Sequence, residues 1–269
     1  MKTKFYLSII SLALLFTSCE EVIDVDLPEG SEKLVVEGYV RTETDSSYIK
    51  LTKTLSYFDN TSAIPNVTNA MVLVNSDTFF HVGNGYYKPN SPYTGIAGTM
   101  YNLTININGE QYQSSSMLNA LGQIDSIISE FKPKQGFIEE GYSVKFTGID
   151  NRPRIKYTYF RFGFNGEDSD GKDSMSTFRV LYDNSNTVLN EPYEFELPVL
   201  RLKENDTAIL HFYSVDEQVY KFLTALNNSS GGGPFSTPPA NLPSNVRGKD
   251  VIGIFSAQDV MRFRHRITK

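Results

Sequence analysis

The stretch "YNLTININGEQYQSS", residues 101–115, decides how this chain is read. Leu103, Ile105 and Ile107 alternate with polar residues, which is the period of a strand with one buried face. Asn108-Gly109 follows, and these two residue types tolerate the positive φ angles of a two-residue type I′ turn. Residues 111–115 then return along the same path, so the segment is a β-hairpin. Working outward toward the N-terminus, the same alternation marks residues 33–41 (KLVVEGYVR), 48–55 (YIKLTKTL), 71–74, 78–82, 86–87 and 100–107. About seven short strands over roughly 80 residues predict an immunoglobulin-like or prealbumin-like sandwich spanning residues 33–115.

Outward toward the C-terminus, residues 114–119 read as a boundary. A second β-rich domain is expected over residues 116–269, with strands near 124–131, 142–149, 155–164, 177–182, 193–200, 208–215, 251–256 and 261–268. "IKYTYFRFGF" (155–164) carries aromatics on both faces, as a central strand between packed layers does. One helix is expected near 215–228. Ser214 and Glu217 fit a capping box, and Val215, Val219, Phe222, Leu223 and Leu226 fall on one helical face. The fold class is therefore mostly β, a sandwich followed by a second β-rich domain carrying one helix.

Composition narrows the function. The chain has 269 residues and a formal net charge of -6, with 16 Tyr, 18 Phe and no Trp. It has no block of Lys and Arg to meet a phosphate backbone, so no nucleic-acid partner is expected. The basic residues Arg262, Arg264, Arg266 and Lys269 alternate with Phe263, His265 and Ile267, which reads as one solvated strand face, with an anion-binding stripe as the alternative.

The N-terminal residues speak to location. Lys2 and Lys4 precede an apolar run over residues 5–16, which is shorter than the ~20 residues that a membrane-spanning helix needs. The layout is that of a secretory signal, residues 1–18. Thr17 and Ser18 then precede Cys19, the only cysteine of the chain. This resembles the lipobox of bacterial lipoproteins, with Phe16 standing where Leu is usual. The alternative is an ordinary signal peptide with an incidental cysteine. One acyl chain anchors only marginally, so stable attachment takes two signals or more; lipoprotein modification places several chains on the one cysteine. Residues 19–32 carry five acids, one Pro and one Gly and read as a lipidated acidic tether. Glu20 and Glu21 resemble the export signal that follows the cysteine in surface lipoproteins of the Bacteroidota, and read otherwise as a solvated linker.

A wider resemblance rests on an ordered series. After the lipobox come "LPEGSEKLVVEGYV", "IKLTKTLSYFDN", "LGQIDSI", "VYKFLTAL", "GGGPFSTPPANLPSNVRG" and "VIGIFSA". In order and spacing they resemble the Bacteroidota outer-membrane lipoprotein family called domain of unknown function 4249. Where that family often carries "SNI.GG.G.F", this chain reads Ser244-Asn245-Val246-Arg247-Gly248-Lys249-Asp250, then Gly253 and Phe255, so the glycine pair is broken. The resemblance implies an outer-membrane protein held by acyl chains on Cys19, often accompanied by a TonB-dependent transporter. It implies no catalytic residue.

Motifs for chemistry are sparse. Asp168, Asp170 and Asp173 in "GEDSDGKD" could gather one hard cation, although the EF-hand spacing fails there and a solvated loop is the alternative. His81, His211 and His265 share no metal-ligand spacing. No G-x-S-x-G or phosphate-loop pattern occurs, and no cofactor is expected. Glu139 and Glu140, read as strand neighbours, would point to opposite faces. Tyr86, Tyr87 and Tyr93, with Tyr101 nearby, read as loop-borne rings suited to stacking on a ligand, or else as sandwich packing. The expected function is a non-enzymatic accessory or binding protein on the outer membrane. The alternatives are an adhesive or structural surface module and a glycan or peptide hydrolase.

Overall fold

Alternation in KLVVEGYVR puts Val36 and Val40 on one face and Tyr39 and Arg41 on the other, and this segment forms β1 (Leu34–Arg41). The computed structural model describes residues 32–55, 63–152, 156–164, 178–185, 188–197, 201–229 and 242–269. β2 (Tyr48–Lys53), β3 (Met71–Val74), β4 (Asp77–Gly83), β5 (Tyr86–Lys88), β6 (Met100–Ile107) and β7 (Glu110–Met117) follow. The β6–β7 hairpin turns at Asn108 and Gly109, whose φ angles are +51° and +86°, as a type I′ turn requires.

These strands and β14 (Val251–Gln258) make an eight-stranded sheet in the order β14-β1-β2-β5-β4-β3-β6-β7. β14 runs parallel to β1, while the other pairs are antiparallel. The sheet wraps one core that includes Val36, Ile49, Leu51, Val72, Leu103, Ile105 and Phe255. Its first and last strands are stitched together across the gap. Gln113 of β7 exchanges backbone hydrogen bonds of 2.9 and 2.8 Å with Arg247. The Asn245 amide imitates a strand toward β14, donating to the Phe255 carbonyl at 2.7 Å and accepting the Phe255 N–H at 2.8 Å. Ala257 N–H donates to Ser116 Oγ at 2.9 Å. Covered edges of this kind leave fewer unpaired backbone groups to recruit another chain.

β8 (Gln123–Lys132), β9 (Gly141–Ile149) and β12 (Pro192–Glu196) form a three-stranded sheet. β10 (Tyr157–Phe164), β11 (Phe178–Asp183), β13 (Thr207–Val215) and β15 (Val260–Arg266) form a four-stranded one, with β10 inside it, as its aromatic alternation predicts. The two sheets enclose a core of rings: Phe146 lies 5.0 Å from Phe212 and 5.2 Å from Phe195, and Phe160 lies 5.3 Å from Phe195.

The helix α1 (Glu217–Ser229) packs Val219 against Val215 and Ile254, where both sheet systems meet it. Its cap differs from the sequence reading. Asp216 Oδ1 accepts the Val219 N–H at 2.9 Å, so Asp216 is the capping residue and Glu217 opens the helix. Ser214 is buried in β13, and its Oγ accepts the Asp259 N–H at 2.7 Å.

The architecture is mostly β and sandwich-like with one helix among the described residues. The chain leaves the first sheet at the end of β7, where the boundary at 115–116 is read, but β14 returns to it. The described residues of Ser31–Lys269 cluster as one compact unit. Among them, no helix is long and apolar enough to cross a membrane.

Candidate ligand-binding cleft

The three tyrosines singled out in sequence do not share a surface. Tyr86 and Tyr87 are strand neighbours and face opposite sides. Tyr87 is core, 1% exposed, with its hydroxyl donating to the Val67 carbonyl at 3.1 Å and accepting the Ala70 N–H at 3.0 Å. Tyr93 packs edge-on against Phe79 at 5.5 Å, and burial lifts its hydroxyl well above the ordinary value. Tyr86 alone of the three faces outward into a larger assembly. Its ring meets Tyr48 at 5.4 Å, and Tyr48 meets Tyr39 at 5.4 Å, both edge-on. Lys50 Nζ sits 5.0 Å above Tyr86.

This ladder borders a cleft of about 280 Å³ at the seam between the sheet systems. One wall is the outer face of β1 and β2, bearing Glu37, Tyr39, Arg41 and Tyr48; the other is the outer face of β10 and β13, bearing Tyr159, Arg161 and Tyr213. Tyr159 and Tyr213 stack at 5.8 Å. The Arg41 guanidinium lies 4.4 Å from the Tyr39 ring centroid and 5.7 Å from those of Tyr48 and Tyr213. Its Nε donates to Gln258 Oε1 at 3.1 Å, and it makes no ion pair among the described residues. Tyr48 donates its hydroxyl proton to Glu37 Oε1 at 2.7 Å. Burial, reinforced by the Glu37 charge, raises the Tyr39 and Tyr48 hydroxyls far above their ordinary value of 10.0. Both are therefore neutral at any physiological pH, and Tyr48 already gives its proton to Glu37.

Positive charge continues beside the cleft. Strand register sets Arg161, His211 and Arg262 in one row across β10, β13 and β15. Arg262 Nη1 lies 3.2 Å from His211 Nδ1, and the same guanidinium forks onto Glu43, with Nε and Nη2 each 2.7 Å from a carboxylate oxygen. A stacked guanidinium with neutral phenol rings around it can hold and orient a flat, hydrogen-bonding, anionic group. The sequence did carry this signal, since Tyr39, Arg41 and Tyr48 occupy the phase opposite the buried residues of β1 and β2.

Other sequence candidates fall elsewhere. Cys19, Glu20, Glu21, Asp168, Asp170 and Asp173 lie outside the described residues. Glu139 and Glu140 sit in the β8–β9 connection rather than in a strand, and Glu139 pairs with Lys134 at 2.5 Å. Among the described residues no three His, Cys, Asp or Glu side chains converge as a metal set.

By fold and cleft this is a β-sandwich protein with an aromatic, basic groove at the seam of its sheets. The chain belongs to the family described as domain of unknown function (DUF4249), whose model matches residues 20–264. No curated protein matches it.

Proposed function

We propose that this is a lipid-anchored outer-membrane lipoprotein, facing the cell exterior, which binds a ligand and hands it to a TonB-dependent transporter without transforming it. The observation that carries the reading is Cys19, the lone thiol, placed after a positively charged start and a short apolar run and before Glu20 and Glu21. The seam cleft supports the binding role, because its groups are suited to holding charge and flat surface. Acylation on Cys19 supplies several hydrocarbon chains, more than the single chain that anchors only marginally.

Mass spectrometry of the protein from native envelopes should find an N-terminal, diacylglyceryl-modified Cys19, and Cys19→Ser should move the protein out of the sedimenting membrane fraction. Pull-down of the native protein should recover a transporter. An unmodified thiol, or Cys19→Ser sedimenting like the wild type, would overturn the anchoring. Native protein recovered with no transporter would overturn the hand-over.

A further inference from the structure

We infer that the sandwich formed by the three- and four-stranded sheets holds a second, separate site, for a small ring-bearing molecule with one neutral hydrogen-bonding group. The site is a slot of about 240 Å³ between the two sheets. Phe146, Phe160, Phe195 and Phe212 wall it. Protein interiors are packed as tightly as organic crystals, so an aromatic-walled space of this size is not ordinary core. An apolar cavity of about 150 Å³ accommodates benzene. This one has room for a ring carrying a substituent, and is smaller than a drug-sized pocket.

The polar part of the slot's lining includes two hydroxyls, beside Tyr182, Glu194 and Arg152. Thr158 of β10 and Tyr193 of β12 lie in its lining on the inward phase of their strands, shared with Phe160 and Phe195. Thr158 is 8% exposed. Neither hydroxyl makes a hydrogen bond among the described residues. Both oxygens are accessible from the slot rather than sealed in the core, so each is open to a partner on a bound molecule. A hydroxyl or amide on the bound ring would supply it.

Arg152, at the same lining, decides the charge of the ligand. Its guanidinium is held by Asp150, with Nε 2.7 Å from Oδ1 and Nη2 2.5 Å from Oδ2. Asp150 is 2% exposed and also accepts the Asn184 amide at 3.0 Å. Burial on its own would raise the Asp150 carboxyl, but the Arg152 side chain and backbone N–H, with Asn184, outweigh it and hold the group below its ordinary 3.8. Asp150 is thus ionised and cancels Arg152, and Glu194, the other charged residue of the lining, pairs with Lys145 at 3.0 Å, so the slot offers no net positive charge to an anion. The seam cleft differs in this respect, because Arg41 makes no ion pair there.

The test uses the full chain carrying Cys19→Ser, so that acyl chains do not compete, with calorimetric titration of 4-ethylphenol, ethylbenzene and 4-ethylbenzoate. The inference needs neither membrane attachment nor the seam cleft, and its failure would leave both standing. 4-Ethylphenol should bind about tenfold tighter than either other probe, about what one well-formed hydrogen bond supplies. Thr158→Val and Tyr193→Phe should each erode that preference while leaving ethylbenzene affinity unchanged. No saturable binding of 4-ethylphenol, or equal binding of all three probes, would overturn the site. Preference for the benzoate would overturn the neutral-group assignment. Equal 4-ethylphenol binding by the wild type and both variants would place the probe elsewhere and also overturn it. If Thr158→Val does not fold, Tyr193→Phe and the three-probe comparison on the unsubstituted slot decide the matter.

Discussion

At Gly253 the backbone takes a φ of +137° beside Val36, its partner in the parallel β1–β14 pair. A Cβ there would lie 1.9 Å from the Val36 carbonyl oxygen. Neither the conformation nor the space admits a side chain, so Gly253→Ala should destabilise the fold by about 2–4 kcal/mol, read as a lowered urea midpoint. A midpoint within error of wild type would mean that β14 is not held where the structure puts it. The sequence marked this glycine through its resemblance to a family pattern, yet gave no reason for it, because the reason is a strand more than two hundred residues away. The broken glycine pair nearby has an explanation in the closing contacts. The closure there runs through the Asn245 side chain and the Arg247 backbone, and neither contact requires a glycine. The groove residues were passed over for a different cause. Paired tyrosines in a loop-like stretch drew attention to Tyr86 and Tyr87, whereas the groove recruits tyrosines one at a time from four separate strands.

At the scale of single elements, local pattern served well. The β6–β7 hairpin was legible because its turn and its alternation both lie within a few residues of each other. The α1 periodicity was legible too, but its cap was misplaced by the Ser214–Glu217 spacing. That spacing fits a capping box only while Ser214 is free, and its hydroxyl is committed to Asp259. Asp216 takes over, and it also receives the Ser116 hydroxyl, tying helix to β7. Burial raises the Asp216 carboxyl above its ordinary 3.8 against the pull of the Ser116 hydroxyl and the Val219 and Gln218 amides. A raised value means the folded state holds the proton more tightly than the unfolded chain does. The stabilisation from that proton is complete below 3.8 and is lost as pH rises through the raised value. Asp216→Asn keeps an acceptor for the cap and removes the titration. Wild type should therefore lose stability relative to the variant over the window that begins near pH 4 and runs upward through the raised value, in urea unfolding at several pH values. A stability difference that is flat across that window would mean the carboxyl is not buried at this junction.

At the scale of the whole molecule, one crossing of the chain joins the sheet systems. β14 and β15 are nearly continuous, separated by Asp259, and they carry the chain from the eight-stranded sheet into the four-stranded one. Asp259 gathers the parts: Thr42 Oγ1 donates to its Oδ1 at 2.8 Å, Leu121 N–H donates to its Oδ2 at 2.9 Å, and its backbone exchanges hydrogen bonds with Ser214. Nothing local in "IFSAQDVMRF" announces this. Pairing between β1 and β14 is long-range, and strand periodicity carries no information about which strand lies next door. Strand positions were thus legible, whereas a division by contiguous residues leaves β14 outside the sheet it completes. The crossing predicts shared unfolding. Phe212→Ala, in the core of the second sandwich, should cost about 3–5 kcal/mol. If the sheets unfold together through Asp259, that loss should appear in native-state hydrogen exchange not only at the β13 amides but equally at those of Val36 and Ile49 in the first core. Adding Asp259→Ala should uncouple the two, so that the first core recovers protection relative to β13. If Phe212→Ala alone leaves β1 and β2 protected while β13 opens, the crossing joins the sheets without making them one cooperative unit.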